Sequence, residues 1–306
     1  IHLSTASCAL DFIGPHAWVD EQSFTELLDL DQHPKYQLSK NPSQQEVDFA
    51  AMRKRSMQHY GFSLWFLVND PFWVLVTYYA GIVIVGLFTV EFLTPVTGVP
   101  SWAFHLSYIQ RSMMIWFGMD AMISFLLFYL WLSPSGRSFS VDRLLERWRR
   151  GAAAARVEPS WRATLGIRLI QIHMCIVYFI AGVAKLQGGT WWNGIATWLT
   201  MNAPLFNENI DLRWLADPNI LGEWGWHYFT LITTYTTLAF EIAFPFLVWN
   251  RYLRPWILFM AVVLHAGIGI FMGLGGFGTV MLAGCMSFLP PAGVRWFFAS
   301  LTGKRS

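Results

Sequence analysis

Five ionisable side chains stand inside long apolar runs of this 306-residue chain: Asp120, His173, Lys185, Glu241 and His265. A charge at the centre of a bilayer costs on the order of 2.5–3.5 kcal/mol by insertion scales, so each is expected to face protein or water and each is a candidate functional residue. The residue types suit proton chemistry. A lysine held away from water can act as an amine base, a carboxylate can pair with it, and an imidazole can donate, accept or position. Structural roles compete with these, because an acid paired with Lys185 or an arginine can simply fix helix packing, and a buried histidine can bond a neighbouring helix. Glu91, near the end of the first apolar run, is a weaker sixth candidate.

Lys185 lies near the end of RLIQIHMCIVYFIAGVAKLQGGTWWNG, residues 168–194. On a helix Gln171, Tyr178 and Lys185 recur every seven residues with a drift of about 20° per step, so they share one face, while His173 points about 120° away from Lys185. Two placements of Lys185 remain open on spacing alone: an ammonium turned into protein or a cavity, or one that snorkels to the interface along its own stem. Trp191 and Trp192 likewise either shape the mouth of a site or anchor the interface. His173 and His265 on different runs could ligate a haem, but proteins of that kind offer more histidines in register. HExxH, paired CxxC, Walker and GxSxG motifs are missing from the sequence, which sets aside the common zinc, nucleotide and serine-hydrolase chemistries, and no metal is expected. Cys8, Cys175 and Cys285 are far apart and read as small buried hydrophobes rather than a disulfide frame.

The elements that must position these groups are membrane helices. Residues AVILMFWYC make up 55% of the chain and charged residues 13%, against about 25% charged in soluble domains, which places the chain among integral membrane proteins. The expected fold is all-α, a multi-pass transmembrane bundle of about six spans plus interfacial helices. The spans read as 71–95, closed by Pro95 and the turn-like TGVP, then 112–133, 168–186, 226–249, 254–273 and a short 277–290. Residues 1–66 read as an N-terminal cytoplasmic or interfacial segment, 67–292 as the transmembrane domain and 293–306 as a basic amphipathic tail. Residues 190–202 could form a short half-helix at or re-entering the interface.

Charge sets an orientation. Arg137, Arg143, Arg147, Arg149, Arg150, Arg156 and Arg162 crowd between the second and third spans, with Leu144, Leu145 and Trp148 on an amphipathic face. Such a segment belongs on the cytoplasmic membrane surface among anionic headgroups, a more ordinary reading than nucleic-acid binding, which is not expected. Of the 21 Lys and Arg, only Arg111, Lys185 and Arg213 then fall near or beyond the far side. The Lys185 end is thus expected to be extracytoplasmic, across a bacterial inner membrane or, in a eukaryote, in the ER lumen.

The run IQIHMCIVYFIAGVAKLQGGTWWNG resembles the core of the vitamin K-dependent gamma-glutamyl carboxylase family and its broader relatives, the HTTM (horizontally transferred transmembrane) domain proteins. FGMDAMISFLLFYLWLSPSGRSFSVDRLL, FEIAFPFLVW and LHAGIGIFMGLGGFGTVML extend the resemblance over about residues 70–290. It implies a lyase of the carboxylase type: a lysine, falling on Lys185, deprotonates vitamin K hydroquinone or menaquinol, O2 turns that anion into a strong base, and a glutamate-bearing peptide or protein loses a γ proton and takes up CO2. His173 would be a neighbouring partner of that lysine. Asp120 or Glu241 would be its charge partner, with Tyr178, His265, Trp191 and Trp192 around the cavity. One departure stands out, Ala184 where the carboxylases carry a second lysine. A non-catalytic membrane component or transporter sharing the fold is the alternative. Internal repeat symmetry would favour a transporter, and none is visible.

Overall fold

A computed structural model describes Ser7, residues 9–13, 63–68, 70–111, 117–137, 140–151, 159–203, 213–217, 219–220 and 222–294, and Ser300. Most of the N-terminal segment and most of the C-terminal tail lie outside the described residues. The described residues are helical throughout their regular parts, with no strand among them. In chain order the helices are α1 (Ala9–Ile13), α2 (Pro71–Thr89), α3 (Thr94–Arg111), α4 (Gly118–Leu132), α5 (Val141–Arg150), α6 (Trp161–Lys185), α7 (Gly189–Trp192), α8 (Ala196–Met201), α9 (Gly222–Leu247), α10 (Arg254–Phe271) and α11 (Gly275–Cys285). The chain divides into two compact units, residues 1–163 and 164–306.

Among the described residues four helices are long and apolar enough to cross a membrane: α2, α6, residues 224–247 of α9, and α10. The expectation of six such spans is corrected by length. Helix α4 holds 15 residues and α11 holds 11, which at 1.5 Å per residue reach about 22 and 16 Å, short of a hydrocarbon core of about 30 Å.

In the first unit, α2 starts as its sequence directs: Asp70 caps it, accepting from the backbone N–H groups of Phe72 at 2.8 Å and Trp73 at 3.4 Å, and Pro71 fills the first helical position. Its buried face joins a core of Ala9, Ile13, Trp65, Val74, Tyr78, Phe104, Tyr108 and Ile109. Two pieces of the N-terminal segment, α1 and Trp65, therefore pack into the helical core of the first unit. The Trp65 indole also donates to Thr77 Oγ1 at 3.0 Å.

Pro95 and TGVP do not close the first span with a loop. They open α3, and the reason is a cap supplied from 48 residues away. Glu91 and Leu93 turn the chain with φ of 54° and 50°, a conformation rare outside glycine. The Asp142 carboxylate, in the first turn of α5, then accepts from Leu93 N (2.8 Å), Thr94 N (3.1 Å) and Thr94 Oγ1 (3.0 Å). Val141 N and Asp142 N return bonds to Val90 O and Glu91 O, both at 3.2 Å. Burial, and then the nearby Asp142 carboxylate, hold the Glu91 carboxyl above its usual range. The glycine of TGVP works in packing: a Cβ on Gly98 would stand 2.3 Å from the Trp131 ring of α4. Asp142→Ala is expected to cost about 1–2 kcal/mol by orphaning two helix-start N–H groups, with Asp142→Asn intermediate, as read by thermal unfolding in detergent. Equal melting of wild type and both variants would show that the turn holds itself.

Candidate functional site

The second unit carries the polar face of α6. Its heptad spacing is realised as three separate attachments to protein. Gln171 Nε2 donates to Ser287 O at 2.7 Å while its Oε1 accepts from Arg168 at 3.0 Å. Tyr178 OH lies 2.6 Å from His265 Nε2 of α10, and Lys185 Nζ lies 2.9 and 2.7 Å from the two carboxylate oxygens of Glu241 on α9. Lys185 thus faces protein rather than leaving the helix for the interface. Its side chain keeps 24% exposure and that of Glu241 keeps 11%, so the pair is mostly enclosed yet reachable from one side.

Two glycines set the helix approaches that make these contacts. A Cβ on Gly182, three residues before Lys185, would lie 2.8 Å from Ile242 Cγ1 and 3.2 Å from Glu241 Cβ, so α6 meets α9 backbone to backbone at the height of the ion pair. A Cβ on Gly278 would lie 2.7 Å from the carbonyl oxygen of His265, so α11 crosses α10 directly against that histidine. Between membrane helices lipid offers no hydrophobic drive, and small residues with interhelical hydrogen bonds supply the attraction instead.

Past Lys185 the chain folds back onto α9. Gly188 N bonds Lys185 O at 3.0 Å, Trp192 Nε1 bonds Leu186 O at 2.7 Å, and Tyr235 OH bonds Trp192 O at 2.7 Å. Gly194, at φ 72°, sits where a Cβ would strike the Leu231 side chain at 2.1 Å. Thr197 then ties α8 to α9, its hydroxyl 2.9 Å from Thr233 Oγ1 and 2.8 Å from Thr234 Oγ1. The expected half-helix is two short helices, α7 and α8, held against the helix that bears Glu241. This sorts the two tryptophans. The Trp191 ring lies 5.3 Å from Lys185 Nζ in a cation–π contact, whereas Trp192 points outward and is exposed.

A second polar cluster is buried deeper. Seven residues before Lys185, about 10 Å along the helix axis, Tyr178 is packed between Phe240 and Phe244, bonded to His265 and 3.6 Å from Cys285 Sγ. His173 is not a neighbour of Lys185. The two sit on one unbroken helix twelve residues apart, about 18 Å along its axis, which exceeds side-chain reach. Asp120, in the other unit, is engaged at the start of α4, where its carboxylate accepts from Phe117 N at 3.0 Å and its backbone oxygen meets His105 Nε2 at 3.0 Å. The charge partner that the geometry gives Lys185 is Glu241.

Among the described residues no group of three or more His, Cys, Asp or Glu is arranged to hold a metal ion. Gly182 and Ser287 were not singled out by sequence, and of the two only Gly182, one turn before the lysine, carried a readable signal; Cys285 read as a small buried hydrophobe and is buried beside Tyr178. What the arrangement can do chemically is hold and move one proton between an amine and a carboxylate beside an aromatic face. Neither a curated protein nor a solved structure matches the chain. The HTTM domain matches residues 116–292, a stretch that holds helices α4 to α11, and the chain belongs to the HTTM domain family.

Proposed function

We propose that this membrane protein is a carboxylase-like, quinol-linked enzyme in which Lys185 is the base and Glu241 exchanges a proton with it. The observation that supports this reading is the pair itself, an amine 2.7–2.9 Å from a carboxylate at the end of a span, one quarter exposed and beside an indole ring. Reduced vitamin K or menaquinol, with O2, would supply the strong base that removes a glutamate γ proton before CO2 adds. The donor set fits such a co-substrate, since an amine, a carboxylate and the Trp191 face can meet a hydroxylated ring.

Cover of the pair by a bound ring excludes water, and two enclosed charges then cost more than two neutral groups. The proton passes from Lys185 Nζ to a Glu241 oxygen. The free amine takes the proton of a hydroxyl presented at the mouth, becoming ammonium again, while Glu241 holds the first proton until water returns. Trp191 orients the ring. Tyr178 and His265, about 10 Å deeper, fix the α6–α10 register and do not touch the substrate. The acceptor would be a glutamate-bearing peptide or protein. The arginine distribution supports an extracytoplasmic Lys185 end.

A second reading is a non-catalytic membrane component or transporter. It is favoured by the fact that Gln171, Tyr178 and Lys185 all have protein partners, as in a purely structural seam. Proteoliposomes given reduced vitamin K or menaquinol, O2, labelled CO2 and a glutamate-bearing peptide separate the two. Wild type is expected to form quinone epoxide, and Lys185→Met to lower its rate at least about 100-fold, the lower range for a lost general base. Labelled CO2 in the peptide reports the carboxylation step. Folded wild type that forms no epoxide with either quinol leaves the structural seam as the better reading.

A further inference from the structure

We propose that α5 is a docking surface for the anionic headgroups of the bilayer, held in place by the junction between α2 and α3. Its apolar residues Val141, Leu144, Leu145 and Trp148 fall at i, i+3, i+4 and i+7, one helical face, with Arg143, Glu146, Arg147, Arg149 and Arg150 on the other. Val141 and Leu145 are half-buried, but the rest of that apolar face is left uncovered: Leu144 is 66% and Trp148 82% exposed. In water a leucine and a tryptophan one turn apart on a ten-residue helix would be left unburied. At a lipid interface both are at home.

The position of the helix argues for lipid over any soluble partner. Val141 N and Asp142 N bond Val90 O and Glu91 O at 3.2 Å, and the Asp142 carboxylate caps α3, so α5 begins at the level where span α2 ends. Close by in sequence, Trp161 is likewise exposed and the Arg162 guanidinium donates to Leu132 O, closing the end of α4 at 3.2 Å. Charge adds a sign. The acid on the polar face, Glu146, is engaged by Arg143 and by Arg150 at 3.5 Å, leaving Arg147 and Arg149 with no acidic partner among the described residues. Their charges complement phosphate-bearing headgroups, with an attraction per arginine near an anionic surface equivalent to roughly fivefold in binding.

The test is hydrogen–deuterium exchange of the full chain in nanodiscs of phosphatidylcholine alone and of phosphatidylcholine with phosphatidylglycerol. Amides of residues 144–150 are expected to exchange about fivefold or more slowly with the anionic lipid, and Arg147→Gln/Arg149→Gln to remove that difference while α2 and α6 keep wild-type protection. High salt should shrink it, because the interaction is between exposed charges. Leu144→Ser/Trp148→Ser is expected to raise exchange in both lipids. Inorganic phosphate added to phosphatidylcholine discs should give no protection, which separates a bilayer surface from a free-anion site. Equal exchange in the two lipids, protection by free phosphate, or a lipid difference that survives the arginine substitutions would each overturn the proposal.

Discussion

Glu241→Ala is expected to destabilise the second unit by about 3 kcal/mol and to abolish quinol-dependent activity, the largest single effect in the molecule. The carboxylate lies 2.7 and 2.9 Å from Lys185 Nζ and is itself buried, so its removal strands an ammonium in a mostly enclosed place. Breaking a buried pair from one side costs about 3–5 kcal/mol, and the 24% exposure of Lys185 puts this case at the lower end. Glu241→Gln keeps the shape and one acceptor oxygen but cannot take a proton, so it is expected to recover part of the stability and none of the activity. The double variant Lys185→Met/Glu241→Leu should melt near wild type, because two apolar side chains of similar volume leave no buried charge to compensate. Thermal unfolding in detergent and epoxide formation, read on the same preparations, separate the two roles. A double variant as unstable as Glu241→Ala would show that the energy lies in packing around Glu241 and not in the pair.

Much of this site was legible in the sequence because α6 is regular. A heptad of Gln171, Tyr178 and Lys185 places three polar groups on one face of any straight helix, and all three attach to protein. The partners were less legible, since helix periodicity says nothing about which span lies opposite. Glu241 and Asp120 were equal candidates by type, and what distinguishes Glu241 is its contact with Lys185 where α9 approaches α6 at Gly182. The resemblance makes His173 a neighbour of Lys185, but the two lie twelve residues apart on one helix, about 18 Å along its axis. The α2–α3 junction was hidden for a related reason. Proline and glycine in TGVP are turn signals locally, but the cap from Asp142 and the packing of Gly98 on Trp131 are long-range facts that convert the same residues into a helix start. The two short helices α4 and α11 were overcounted as spans because apolar composition carries no measure of helix length until the ends are known.

Gly182→Leu is expected to cost about 1–3 kcal/mol and to lower activity by about 100-fold even though leucine is the better residue for a membrane helix by hydrophobicity. A side chain at this position starts with a Cβ 2.8 Å from Ile242 Cγ1 and 3.1 Å from Ile242 N, a contact with backbone that no rotamer relieves. Helices α6 and α9 must separate, with overpacking costs in the range of 1–3 kcal/mol. The separation falls at the residue whose neighbour is Glu241, so the amine and carboxylate are drawn apart together, and a misplacement of about 1 Å in a reacting pair costs about 100-fold in rate. Gly182→Ala should fall between wild type and Gly182→Leu, since it adds the Cβ and no more. Gly86→Ala is the matched control: this glycine is exposed within α2 with no atom within 4 Å of its would-be Cβ, so alanine there should be neutral or stabilise by about 0.5–1 kcal/mol. Melting temperature and epoxide rate across the four proteins read the result. A Gly182→Leu protein that keeps both would mean that α6 and α9 do not meet backbone to backbone at the ion pair, and the close approach that selects Glu241 as the partner of Lys185 would go with it.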